Sequence, residues 1–113
     1  MAKILLAEDD ATMVSLLTTL LDMEGFEVVA LDADTDIVAA IEREKPQAVF
    51  MDVNLGDQSG MQILQAIRRN PENARLRIVM TSGMNVREEC LKLGADAFLQ
   101  KPFMPDDLIG AFK

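Results

Sequence analysis

A doubly wound α/β domain, with five parallel strands in the order 2-1-3-4-5 and five helices, is the fold this sequence predicts, and three observations predict it. Five short apolar runs alternate with five stretches of helical periodicity. Each run is apolar nearly throughout, as strands buried on both faces are, rather than apolar at every second residue. The chain has 113 residues, half of them hydrophobic, enough for one domain and too few for two. We therefore read residues 1–113 as a single unit. Crossovers of this length are right-handed, and the order puts a ligand crevice at the carboxyl ends of strands 1 and 3.

The elements follow in turn. Lys3-Ile4-Leu5-Leu6-Ala7 is the first strand. Ala11 to Glu24 repeats Met13, Leu16, Leu17, Leu20 and Leu21 at helical spacing, and Gly25 stops it. Phe26 to Leu31 is the second strand. Thr35 to Lys45 carries Ile37, Val38 and Ile41 on one face and ends before Pro46. Ala48 to Met51 is the third strand, and Ser59 to Asn70 a helix with Met61, Leu64 and Ile67 inward, closed by Asn70-Pro71. Leu76 to Met80 is the fourth strand, Val86 to Leu93 a short helix ended by Gly94, and Ala97 to Gln100 the fifth strand. Pro105 to Lys113 begins a last helix with proline and two acids in its first turn.

The fold directs attention to the residues just after each strand. Glu8-Asp9-Asp10 follow strand 1, Asp52 strand 3, Thr81-Ser82-Gly83 strand 4 and Lys101-Pro102-Phe103 strand 5. Alone, each has an ordinary explanation. The acids cap and complement the first helix, with Asp10 as its N-cap; Asp52 is a turn residue, Thr81 a cap, and Lys101 a solvated lysine. Together they converge on one edge. Carboxylates crowded there repel one another unless a cation is present, and an oxygen-only donor set suits Mg²⁺.

Composition removes several function classes. Histidine is absent, which excludes Ser-His and Cys-His nucleophile pairs, histidine-ligated metals and a phosphohistidine on this chain. A net charge of −8 without a basic cluster (Arg68-Arg69, Arg75 and Arg77 are scattered) argues against direct nucleic-acid binding. No stretch is long and apolar enough for a membrane span, and the N-terminus lacks a signal-peptide layout, so a soluble, cytoplasmic protein is expected. The one cysteine, Cys90, has no internal disulfide partner and reads as a buried helical residue. The eight methionines read as core filler, apart from Met13, which opens the first helix near the acids and is placed to meet a partner. Phe103 and Phe112 read as packing residues.

Four stretches, in order, carry a family resemblance: Ile4-Leu5-Leu6-Ala7-Glu8-Asp9-Asp10; Asp52-Val53-Asn54-Leu55 with Gly60 eight residues past the aspartate; Ile78-Val79-Met80-Thr81-Ser82; and Gly94-Ala95-Asp96-Ala97-Phe98-Leu99-Gln100-Lys101-Pro102-Phe103. Over its whole length the chain resembles the receiver domains of bacterial two-component response regulators, which have the flavodoxin-like fold. The resemblance implies a phosphoacceptor switch rather than an enzyme, receiving a phosphoryl group from a histidine kinase or phosphotransfer protein. It implies Asp52 as phosphoacceptor and Mg²⁺ held by Glu8 (through water), Asp9, Asp52 and the backbone carbonyl of Asn54. Thr81 then bonds a phosphoryl oxygen, Lys101 pairs with Asp52 and next with the phosphoryl group, and small Ser82 leaves room for it. Phe98 takes the place of the rotameric aromatic switch, and a cis bond precedes Pro102. Asn54 and Gly83 occupy the positions that gate hydrolytic water. The output face implied is helix 4, strand 5 and helix 5, which also serves as a candidate homodimer surface.

Departures qualify these expectations. Gly56 stands where a proline commonly follows Leu55, predicting a looser loop, and the segment from Thr81 to Gly94 is slightly shorter than the pattern. Because Phe98 lacks a hydroxyl, burying its ring leaves no unsatisfied donor, so its inward state is expected even without phosphate. Two rival readings come from other classes. A Mg²⁺-dependent phosphohydrolase with Asp52 as nucleophile wants a second acid two residues on, where Asn54 stands. A non-phosphorylated interaction module has no need of Glu8, Asp9, Asp52, Thr81 and Lys101 together.

Overall fold

A computed structural model of the chain describes residues 2–112. Its elements are β1 (Lys3–Ala7), α1 (Ala11–Met23), β2 (Glu27–Leu31), α2 (Ile37–Glu44), β3 (Ala48–Asp52), β4 (Asn54–Leu55), β5 (Gln58–Ser59), α3 (Gly60–Arg69), a 3₁₀ turn (Pro71–Asn73), β6 (Arg77–Ser82), α4 (Arg87–Lys92), β7 (Ala97–Gln100) and α5 (Pro105–Ala111). The main sheet runs β2-β1-β3-β6-β7, all parallel. Counting only its own strands, this is the expected order 2-1-3-4-5.

The helix starts are chemical. Asp10 accepts the N–H groups of Thr12 and Met13 (2.9 and 3.2 Å), the N-cap role expected of it. Asp36 accepts from Ala39 at 3.1 Å, so α2 begins at Ile37 rather than Thr35. Ser59 accepts from Gln62 at 3.3 Å and starts α3. The expected extension of the last helix to Lys113 reaches outside the described residues; within them α5 ends at Ala111.

Alternate residues of each strand feed two cores. Leu5, Val49, Met51, Ile78 and Met80 face α2, α3 and α4, packing with Ile37, Ile41, Leu64, Ile67 and Cys90. Ile4, Leu6, Phe50 and Val79 face α1 and α5, packing with Leu17, Leu21 and Leu108. Phe50 lies 6.0 Å from Phe103 and 6.3 Å from Phe112, ring centre to ring centre, so both phenylalanines are packing residues as expected. Burying one such side chain stabilises by about 1.5–3 kcal/mol, and burial on both faces explains why the strands do not alternate. The methionines divide. Met51 and Met80 are core, whereas Met23, Met84 and Met104 stand exposed at a helix end and in two loops, where no second layer covers them.

Two features exceed the sequence expectation. β6 runs on to Ser82, so Asp52 and Thr81 are register partners within the sheet rather than loop residues. The segment after β3 forms an antiparallel hairpin, β4 with β5, turned at Gly56 with φ 56. Among the described residues no helix is long and apolar enough to cross a membrane.

Candidate functional site

Four strand ends meet at one edge. β3 delivers Asp52, only 7% exposed, and β6 delivers Thr81, fully buried. β1 is followed by Glu8, 3% exposed, and by exposed Asp9. β7 is followed by Lys101, whose bond to Pro102 is cis, as expected. The ammonium of Lys101 lies 2.5 Å from Glu8 Oε1 and 2.6 Å from Asp52 Oδ2. These contacts span 93 and 49 residues of sequence.

Every carboxylate here is held. Glu8 Oε2 accepts the N–H groups of Asp9 and Asp10 (2.9 and 3.3 Å). Asp52 Oδ1 accepts the N–H of Asn54 at 2.8 Å. Asp9 Oδ2 accepts the N–H of Gly56 at 3.1 Å. That bond corrects the expectation of a looser loop. A proline has no N–H to offer, so glycine at this position ties the hairpin to Asp9 where proline would leave it untied.

The crowded acids were expected to repel one another, and Lys101 relieves that repulsion between Glu8 and Asp52. Burial pushes the Glu8 carboxyl above its ordinary value, with the Lys101 hydrogen bond pulling the other way. Burial opposes the charge on Lys101, but its hydrogen bonds to Asp52 and Glu8 outweigh burial and hold its pKa above the ordinary value. Among the described residues, no group of three or more carboxylates converges as a ready-made cation site. The donor set nevertheless fits Mg²⁺: it is all hard oxygen, Asp9 is exposed, and Asp9 Oδ1 accepts no hydrogen bond from the described residues. One or two carboxylates plus waters are the usual complement of that ion.

Thr81 and Phe98 complete the edge. The Thr81 hydroxyl donates to the Leu99 carbonyl at 2.6 Å, turned toward β7 rather than toward Asp52. Phe98 is 2% exposed and belongs to the core that α2, α3 and α4 cover. Ser82 is buried, and its hydroxyl oxygen accepts the N–H of Met84 at 3.1 Å. Gly83 is exposed, with open space where a side chain would stand.

Two supporting residues escaped the sequence reading. Gly60 was noted only for its spacing. A Cβ there would lie 2.3 Å from the backbone oxygen of Asp52 and 2.8 Å from Val53 Cα, so α3 starts directly on the Asp52–Val53 backbone. Arg68 had passed as a scattered surface cation. It donates to the carbonyls of Gly94, Asn73 and Leu76 and to the Asp96 carboxylate, all at 2.8–2.9 Å. Its signal was the Gly-x-Asp at 94–96. Gly94, at φ 111, leaves room for the arginine stem, and Asp96 also receives the N–H of Ile78 at 2.8 Å.

Residues 4–113 match the family described as the response regulator receiver domain. The chain belongs to that family. It is a receiver domain, the phosphoacceptor switch module of two-component response regulators. The transcriptional regulatory protein GltR of Pseudomonas aeruginosa is 33% identical over 113 residues, a match covering 97% of this chain and 47% of that protein. The receiver domain thus spans about half the length of the curated relatives it matches. Among solved structures it resembles the receiver domain of the sensor histidine kinase PA1611 from P. aeruginosa PAO1, which has a magnesium ion coordinated in its active-site cleft (TM-score 0.84, 26% identity, covering 96% of this chain and 92% of that one). It also resembles the BeF3-activated N-terminal receiver domain of Klebsiella pneumoniae RstA (TM-score 0.85, 25% identity, covering 97% and 94%).

Proposed function

We propose that Asp52 is the phosphoacceptor of this receiver domain. The observation that carries the reading is the buried Asp52 carboxylate at the meeting of four strand ends, one oxygen on Lys101 Nζ and the other on the Asn54 N–H. In the transfer, an Asp52 oxygen forms the new O–P bond as the donor's P–N bond breaks, and the electron pair returns to the donor's imidazole. Phosphoryl transfer asks the protein for position and charge more than for covalent help. Lys101 neutralises the incoming oxygens, and Thr81 donates to one of them after leaving the Leu99 carbonyl. Asp9, Asp52 and the Asn54 carbonyl hold Mg²⁺ in this reading. Glu8 would join through water, as the family resemblance implies. When bound, the ion supplies further neutralisation of phosphoryl charge.

The same reading makes the donor a histidine kinase or phosphotransfer protein in the cytoplasm. It gives the chain no enzymatic task beyond helping its own phosphorylation and dephosphorylation. Exposed Met84, just before α4, and exposed Leu91, on α4, favour a partner or a second copy on the α4–β7–α5 face. Intact mass after incubation with acetyl phosphate and Mg²⁺ tests the core of it. One phosphoryl mass is expected on the parent and none on Asp52→Asn; full labelling of Asp52→Asn would overturn the assignment.

A further inference from the structure

The buried position of Phe98 raises a physical question. β7 is an edge strand, so solvent lies within reach of its residues. The Thr81 hydroxyl is engaged by the Leu99 carbonyl of the same strand. The ring packs in the core beneath α4, with Cys90, Val86 and Leu93 in the same cluster, and one charged group also lies over it.

That group is Arg87. Its guanidinium carbon lies 5.6 Å from the centre of the Phe98 ring, within the range of a cation–π contact. The placement of Arg87 is otherwise unfavourable. It is the first residue of α4, where the helix dipole disfavours a cation and where Glu88 and Glu89 supply the usual acids. It forms no ion pair among the described residues. α4 has only six residues, and its N-cap, Val86, offers no side-chain hydrogen bond. Among the described residues the only side-chain support at the helix start is a long one, the Asn85 Oδ1 accepting the Arg87 N–H at 3.5 Å, and the contact with β7 adds to it.

We infer that Arg87 is a positioning residue of the switch: it roofs the Phe98 ring, holds it inward before phosphorylation, and ties the start of α4 to β7. The ring leaves only when Arg87 lifts, so ring position and α4 position change together. The inference takes Phe98 as the state reporter and so rests on the receiver reading above, but its main consequence concerns the resting protein.

Amide exchange and Phe98 ring chemical shifts of the parent, Arg87→Ala and Arg87→Lys test it, first without metal or phosphate mimic. Alanine is the best helix former and removes a cation from an N-terminal turn. Propensity and dipole alone therefore predict a tighter α4 in Arg87→Ala. The roof predicts the opposite: exchange over 83–90 faster by about three- to tenfold, with Phe98 ring shifts moving toward solvent-exposed values. Arg87→Lys keeps the charge and should retain most of the protection. An α4 as protected in Arg87→Ala as in the parent, or a lysine variant as loose as the alanine one, would overturn the inference. Beryllofluoride with Mg²⁺ is then added. The parent ring is already inward and should shift little, whereas in Arg87→Ala the mimic drives a partly outward ring in, giving a larger change at Phe98. Equal changes in both would also count against the roof. Resonances around Asp52 report separately whether the mimic binds. Silence there in every variant would sink the Asp52 reading while leaving the resting comparison to decide Arg87.

Discussion

At the scale of single residues, three glycines shape the edge around Asp52 by three different means. Gly60 acts by having no Cβ: α3 rests where any larger residue would strike the Asp52–Val53 backbone. Gly60→Ala should destabilise the fold by about 1–3 kcal/mol through overpacking and slow labelling by acetyl phosphate, read from the urea midpoint and the phosphorylation time course. Gly56 acts through its N–H and its φ of 56, which bring Asp9 and the hairpin together. Gly83 acts by leaving space, with no atom near where a side chain would start. If it lines the water path, Gly83→Lys or Gly83→Tyr should lengthen the phosphoryl lifetime by shielding the group. Decay at the parent's rate or faster in both, followed by intact mass after removing the donor, would place the water path elsewhere.

Elements are joined by side chains whose partners lie far away in sequence. Arg68 links the last turn of α3 to the starts of β6 and β7 through four hydrogen bonds, three of them to carbonyls. Arg68→Ala leaves those carbonyls and Asp96 without that donor. A loss on the order of 2–3 kcal/mol is expected after allowing for solvent at Asp96, because bonds to a charged donor are worth more than neutral ones. Chemical denaturation checks this, and a loss below 0.5 kcal/mol, on the order of an ordinary surface change, would show water replacing the arginine. α4 has six residues. A helix that short holds itself weakly, so the elements it touches govern it.

For the molecule as a whole, two cores on either side of one sheet bury the three central strands almost completely, and Cys90 lies in one of them at zero exposure. Burial pushes its thiol above the ordinary value of 9.0, with Glu89 adding to the shift. A raised folded pKa means that the stability from keeping the thiol neutral is complete below that ordinary value. It is lost as pH climbs through the higher folded value. The chain has no tyrosine to titrate in the same range. Stability should therefore fall in the alkaline window above pH 9.0, and Cys90→Val should flatten that fall in urea titrations. A parallel decline in parent and variant would assign it to other groups. Below that window Cys90 should resist alkylation until the protein unfolds, since the thiolate is the reactive form.

Some of this was legible in the sequence because it depends on periodicity and local chemistry. Continuous apolar runs specify strands buried on both faces. Asp10 caps α1 through atoms two and three residues away, and the strand order is the doubly wound one that five alternating strands fit. The convergence of Glu8, Asp9, Asp52, Thr81 and Lys101 follows in turn, since a parallel sheet places all its carboxyl ends at one edge. The tertiary structure alone decided which of those groups touch. Lys101 divides its charge between Glu8 and Asp52, Thr81 turns to β7, Arg68 reaches four partners and Arg87 covers Phe98. The reason is physical: backbone periodicity is a property of neighbouring residues. A side chain's choice among several partners is a competition of hydrogen bonding, desolvation and space, and that competition exists only once distant strands have been packed together.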